Sequence, residues 1–158
     1  MSDSEQVFEL AHVAGFPVAT DRSYDAETHF WVLPIGPGRL RVGMDALGVE
    51  TSGTLAQLSL EPVGTKRDRG EPLGRVEAAK FVGPLTCPVS GVVAAVNDAV
   101  LADAGLLERD PYGAGWLAEV EVDDVEDATA ELVHGAHEVL AWFAAQVADY
   151  RLKGVIAE

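Results

Sequence analysis

The sequence predicts a mainly β domain, a sandwich or barrel, with short helices and one C-terminal helix. Three observations carry this. Short apolar runs follow one another at close, even spacing, unlike the longer rhythm of βαβ units. Turn residues separate them, drawn from 16 glycines and eight prolines among 158 residues. Residues 124–150 contain no proline and show a helical apolar period instead. Hydrophobic residues make up 48% and charged residues 23%, which excludes a wholly disordered chain.

The elements follow in order. Residues 1–23 are a weakly patterned lead-in, with 7–13 read as a short helix or an edge strand. Residues 30–33 and 39–44 pair as a hairpin across Pro34-Ile35-Gly36-Pro37-Gly38. Residues 45–53 leave a short helix or a loop open. Residues 55–60 alternate as a half-buried strand does. A polar loop over 64–70 carries Lys66, Arg67, Asp68 and Arg69. Strands follow at 72–77 and 81–85. After the turn Pro88-Val89-Ser90-Gly91 comes a strand at 92–96. Residues 98–107 read as a short helix or loop. Asp110-Pro111-Tyr112-Gly113-Ala114-Gly115 is a strong turn, and 116–122 is the closing strand. A faint echo between 63–76 and 88–96 places the turn between two similar halves at Ala78-Ala79-Lys80.

The tail, 123–158, is predicted to pack on the β domain as a helix. Apolar residues at 125, 128, 132, 136, 139, 140, 143, 147 and 150 share one helical face. Asp123, Asp124, Glu126 and Asp127 crowd its start, where negative charge suits the dipole. Arg151 and Lys153 lie past its end, Gly154 is a stop signal, and Gly135 is a point at which it divides in two.

Charge and cysteine content exclude several function classes. Eleven basic against 26 acidic residues give −15, which repels phosphate backbones and anionic lipid, so neither nucleic acid nor membrane is an expected partner. The most apolar run, 139–145, is too short to span a bilayer. The opening Met-Ser-Asp-Ser-Glu-Gln lacks the basic segment of a secretory signal, which predicts a cytoplasmic protein. Cys87 is the only cysteine, so there is neither an intramolecular disulfide nor a cysteine-built zinc site. No Ser-His-Asp set, glycine-rich phosphate loop or paired carboxylates stand out, so the chain is read as a non-enzyme.

Lysine occurs only at 66, 80 and 153. Lys80 sits between two apolar strand-like runs, and no other charged residue occurs from 78 until Asp98. A solvated turn lysine that breaks up strand aggregation is one reading. A lysine displayed at a hairpin tip for covalent modification is the other. Schiff-base chemistry fits poorly, because it needs a desolvated amine.

Gly74-Arg75-Val76-Glu77-Ala78-Ala79-Lys80, followed at a fixed distance by Pro88-Val89-Ser90-Gly91, resembles the lipoyl-attachment segment of glycine cleavage system H-proteins. The resemblance extends to Val96-Asn97, to Asp110-Pro111-Tyr112-Gly113-Ala114-Gly115-Trp116 and back to His29-Phe30-Trp31-Val32, covering residues 24–122. It implies a hammerhead, or barrel-sandwich hybrid, lipoyl-domain-like fold. It also implies lipoic acid amide-linked to Lys80, with Glu77 and His29 as contacts for the arm or the ligase. The sequence departs from the family where Phe30 replaces the usual Glu and where Phe81-Val82-Gly83-Pro84 replaces small residues. The Lys-aromatic-Val-Gly-Pro pattern at 80–84 and the longer tail resemble the H-like lipoate-binding proteins linked to heterodisulfide-reductase-like sulfur oxidation. That pathway is therefore the leading expectation. Glycine cleavage is the alternative, in which the carrier shuttles an aminomethyl group between glycine decarboxylase and aminomethyltransferase. A biotinyl carrier is remote, because Ala79 and Phe81 stand where that pattern has methionines. An unmodified interaction module is disfavoured by the intact Glu77 and Lys80. Implied partners are lipoate ligase or lipoyl-assembly enzymes, then either the heterodisulfide-reductase-like complex or the two glycine enzymes with dihydrolipoamide dehydrogenase.

Seven further residues stand out by type or position. Cys87 is expected as a small buried hydrophobe, with thiol exchange on the dithiolane as the sharper alternative. His134 and His137, three apart on the predicted helix, read as a solvated pair. Trp31 and Trp116 read as core anchors. Phe81 and Val82 are expected to form a resting surface for the arm. The acidic surface serves either encounter with basic partners or solubility in a salty habitat.

Overall fold

The computed structural model describes residues 10–156. Strands β1 (Leu10–Val13) and β2 (Phe16–Ala19) form a hairpin across the left-handed pair Ala14-Gly15. Strand β3 is Ser23–Tyr24, β4 is Phe30–Gly36 and β5 is Arg39–Met44. Helix α1 (Ala46–Ser52) leads into β6 (Leu55–Leu60). Strands β7 (Lys66–Arg67), β8 (Pro72–Ala78), β9 (Val82–Thr86) and β10 (Gly91–Val96) follow. The chain closes with α2 (Asp98–Ala102), α3 (Leu106–Arg109), β11 (Ala118–Glu121), α4 (Val125–Ala128) and α5 (Ala136–Leu152).

Two antiparallel sheets make the sandwich. The larger runs β3-β4-β5-β11-β10-β7 and the smaller β6-β8-β9. The period-2 rule decides what β4 and β5 bury. Phe30 and Val32, with Leu40, Val42 and Met44, face the smaller sheet's Leu58, Leu73, Val76 and Leu85. Trp31 faces the other way, into a core shared with Val18, Val139, Phe143 and Val147. Its partner across the ladder is Gly43, where an added Cβ would lie 2.3 Å from the indole. A side chain there is incompatible with the buried ring. The N-terminal hairpin and α5 thus bury the outer face of the large sheet. Among the described residues no helix is long and apolar enough to cross a membrane.

Several sequence expectations shift. The ambiguous stretch 45–53 is helix α1, because Asp45 accepts a hydrogen bond from the Gly48 N–H and caps it. Edge strand is the correct alternative for 10–13, while 7–9 lie outside the described residues. The polar loop over 64–70 contains β7, which pairs with β10. The strand expected at 81–85 begins at Val82, since Phe81 belongs to the turn, and the closing strand shortens to Ala118–Glu121. Residues 98–107 divide into α2 and α3.

The expected tail helix is interrupted. Asp124 caps only the single turn α4. Val133 then exchanges backbone hydrogen bonds with Tyr24, and Gly135, at φ +89°, restarts the chain as α5. Most of the apolar positions are at least half-buried, but Ala136 is exposed, and Leu132 is buried from a turn outside either helix. His134 therefore precedes the helix, and the expected helical pair with His137 does not form. Trp31 is fully buried, as expected of an anchor. Trp116 is only half-buried, with the Arg41 guanidinium 4.6 Å above its ring.

Because Phe143 packs in the core that Trp31 shares, truncating it affects the whole domain. Phe143→Ala is expected to cost about 3–5 kcal/mol. Urea unfolding followed by both tryptophan fluorescence and far-ultraviolet circular dichroism should give one shared, lowered midpoint. A separate early transition in circular dichroism alone would contradict this packing.

Candidate functional site

Lys80 occupies the tip of the β8–β9 hairpin, exposed, with Ala79 as its only companion between the paired ends Ala78 and Phe81. Two-residue hairpin tips normally use Gly or Asn at positive φ. Neither Ala79 nor Lys80 has positive φ, and their N–H groups do not close the turn. They point outward instead. Ala79 N–H donates to the Thr54 carbonyl and Lys80 N–H to the Ser52 carbonyl, each at 2.9 Å. The segment joining α1 to β6 therefore holds the tip from outside. Gly53 lies between the two acceptors at φ +81°. A Cβ there would lie 3.0 Å from Lys80 Cγ and 3.1 Å from Lys80 N. The lysine stem lies across this glycine.

The clamp is itself fixed. The Tyr112 hydroxyl accepts from the Ala46 N–H at 3.0 Å and donates to the Pro17 carbonyl at 2.8 Å. Asp45 uses both carboxylate oxygens. Oδ1 accepts from Gly48 N–H at 2.8 Å and Oδ2 lies 2.8 Å from His29 Nδ1. His29 Nε2 lies 3.0 Å from Gln146 Oε1, and the ring stacks on Trp142 with centroids 5.0 Å apart. His29 is 3% exposed and in the left-handed region at φ +65°. Its backbone carbonyl also accepts from Asp45 N–H. Burial opposes a charge on His29. The Asp45 carboxylate, the Gln146 carbonyl and the more distant Asp25 outweigh it and raise the pKa above the ordinary histidine value.

Of the predicted site residues, Glu77 is exposed on β8 near Lys80, and its side chain makes no hydrogen bond or ion pair with another described residue. Lys80 likewise makes none through Nζ among the described residues. His29 lies below a groove that Lys80 also lines, with both ring nitrogens committed inside the fold rather than offered to an arm. Cys87 is 1% exposed, and burial pushes its thiol pKa up, which removes the conditions for thiol exchange. The sequence reading missed Asp45, Gly53 and Gln146. Asp45 and Gly53 bracket a helical stretch as cap and stop, the one signal that pointed to them.

Two open grooves meet at Lys80, one on each side of α1. The first, about 430 Å³, is lined by His29, Phe30, Met44, Phe81, Leu85 and Tyr150 among others. The second, about 640 Å³, runs past Glu50, Gly53, Glu108 and Asp110. Phe81 and Val82 stay 42% and 59% exposed beside the lysine.

An accessible lysine on an externally clamped tip, beside two open grooves, has the features of a carrier domain. Residues 22–141 match the glycine cleavage H-protein family. The glycine cleavage system H protein of Corynebacterium jeikeium is 40% identical over 123 residues, covering 75% of this chain and 96% of that protein. Glycine cleavage system H protein 3 of Aquifex aeolicus is 33% identical over 129 residues, 78% of this chain and 80% of that one. A crystal structure of a glycine cleavage system H protein from Mycobacterium marinum superimposes with a TM-score of 0.69 at 36% identity, covering 83% of this chain and 99% of that chain. The chain belongs to the glycine cleavage H-protein family. Proteins of this family are carrier components, not catalysts, and hold lipoate covalently on a lysine. These findings favour the glycine-cleavage alternative over sulfur oxidation, which none of them supports.

Two outcomes follow from the clamp. Gly53→Val should lower stability by about 1–3 kcal/mol, because it adds positive-φ strain and displaces the lysine stem. An unchanged urea midpoint would contradict the contact. For His29, a raised folded pKa means that its stabilisation is complete below the unfolded value of 6.5 and is lost as pH rises through the folded value. Stability should therefore decline over that window in the native chain. Asp45→Asn, which keeps a capping oxygen without the charge, should flatten the decline. Parallel pH profiles for the two proteins would rule out the pair as its source.

Proposed function

We propose that this chain is the lipoyl carrier of a glycine cleavage system, acting in the cytoplasm with lipoate amide-linked to Lys80 Nζ. The observation that carries the proposal is Lys80 itself, an accessible amine without a partner among the described residues, on a backbone held by Ser52 and Thr54. Bound lipoate supplies a dithiolane that takes up and gives up an aminomethyl group at the partner enzymes.

This chain's residues do the rest. A tip fixed by two outward hydrogen bonds presents the amine in one place, so recognition by lipoate ligase or a lipoyl-assembly enzyme loses little backbone entropy. Acylation removes the ammonium charge, after which the stem lies against apolar surface at lower cost. Phe81, Val82 and the groove lined by Phe30, Met44 and Leu85 offer that surface. Tethering raises the effective concentration of the arm at a docked partner, so weak docking suffices. The net charge of −15 favours encounter with basic rims on glycine decarboxylase, aminomethyltransferase and dihydrolipoamide dehydrogenase. The exposed Phe81 and Val82 keep one specific observation on the side of sulfur oxidation, since they are where the sequence departs from the family.

The test has two stages. Incubated with lipoate ligase, the chain should gain one lipoyl group by intact mass, mapped to Lys80, and Lys80→Arg should gain none. The lipoylated chain should then support glycine–bicarbonate exchange by a glycine decarboxylase, as a known H protein does. Modification without exchange would overturn the glycine reading and send the arm to a sulfur-oxidising partner. Lipoylation of Lys80→Arg would overturn the site.

A further inference from the structure

The far half of α5 lies past residue 141, where the family match ends, yet three of its side chains touch or adjoin His29. Gln146 Oε1 is 3.0 Å from Nε2, the Trp142 ring stacks on the imidazole at an interplanar angle of 27°, and the Tyr150 ring lies 5.6 Å away. Trp142 Nε1 is buried without a hydrogen-bond partner among the described residues. An unpaired buried donor is costly. The fold accepts it in a pose that stacks the indole on His29 and leaves it tilted against Tyr24 at 43°.

From His29 the contacts run in one direction. Nδ1 meets Asp45 Oδ2, while Asp45 Oδ1 caps α1. Helix α1 is two turns of rigid rod, about 10 Å long. At its far end, the Ser52 carbonyl and then Thr54 take the two N–H groups of the lysine tip. Each link has a stated length and each polar atom in it has one partner. Removing Gln146 leaves Nε2 buried without an acceptor. His29 then gives up its second proton more readily, and the charge-assisted bond that fixes the Asp45 carboxylate weakens. The groups that face His29 are Asp45, Gln146, Trp142 and Tyr150, with Asp25 farther off and itself paired to Arg69.

We propose that α5 is a positioning element for the modified lysine, acting through Gln146, His29, Asp45 and α1 on the Lys80 turn. The lipoylation part of this proposal rests on Lys80 being the attachment site. The backbone part does not.

The experiment uses the full chain. Amide hydrogen exchange is measured at Ala79 and Lys80, with Val93 and Val120 of the β10–β11 region as internal controls. Gln146→Ala is expected to speed exchange at Ala79 and Lys80 about tenfold while the controls hold, as a local opening does. It should also raise the ligase KM for the chain, with kcat unchanged, because only the closed turn is recognised. Gln146→Glu, which restores an acceptor for Nε2, should return both readouts to the native values. Leu152→Ala, an exposed change on the same helix, should move neither. Asp45→Asn, which keeps the cap but lacks the charge, should reproduce the faster exchange if Gln146→Ala does not fold. Unchanged exchange at the tip, or an equal rise at the controls, would overturn the proposal. Failure of ligase to modify native Lys80 would remove the carrier reading alone, and the exchange data would still decide the coupling.

Discussion

The site depends on one buried carboxylate. Asp45 spends one oxygen on the first turn of α1 and the other on His29. Neither partner is optional for a fully buried group, since an unpaired carboxylate in the interior is strongly disfavoured. The cap sets where α1 begins, and so where it ends seven residues later. The end of α1 then sets the position of the lysine tip. A hairpin tip of Ala and Lys has no glycine to stabilise a primed turn, so it relies on acceptors outside itself. The rigid backbone and the free side chain at Lys80 therefore come from different places, the first from α1 and the second from solvent.

Much of the fold was legible because it depends on local chemistry. Turns rich in Gly and Pro, short alternating strands and the acidic start of α4 each reflect one stretch of chain. Lys80 stood out by charge isolation, and its turn was found. What failed was non-local. The spacing from 125 to 150 fits one long helix, yet Val133 pairs with Tyr24 more than a hundred residues earlier in the chain. Such pairing overrides a periodicity that measures burial and not helicity. Trp116 looked like an anchor because tryptophan usually is one, but Arg41 covers it from the outer face. His29 was legible as a motif residue, whereas its second polar partner, Gln146, lies 117 residues away. Gly53 carries no signal beyond being a helix stop, and its contact with Lys80 is visible only in three dimensions.

The electrostatics suit a carrier. Three lysines in 158 residues leave few competing amines for an acyl-transfer enzyme. Cys87 is sealed in the core, where a thiol with a raised pKa does not attack a neighbouring dithiolane. Glu50, Glu108 and Asp110 line the second groove with Lys80, yet none of the described residues pairs with its amine. Under the carrier reading, the departures at Phe30 and at Phe81-Val82 act on what rests beside the arm and on who docks, not on whether the lysine is presented.

Lys80 joins a backbone held by two hydrogen bonds to an exposed side chain. Relaxation of backbone 15N nuclei at Ala79 and Lys80 tests that hold most directly. Order parameters near 0.85 are expected at both residues, equal to those of the flanking strands and unchanged on lipoylation. Values below about 0.6 at the tip would mean that the turn is loose and that α1 does not hold it.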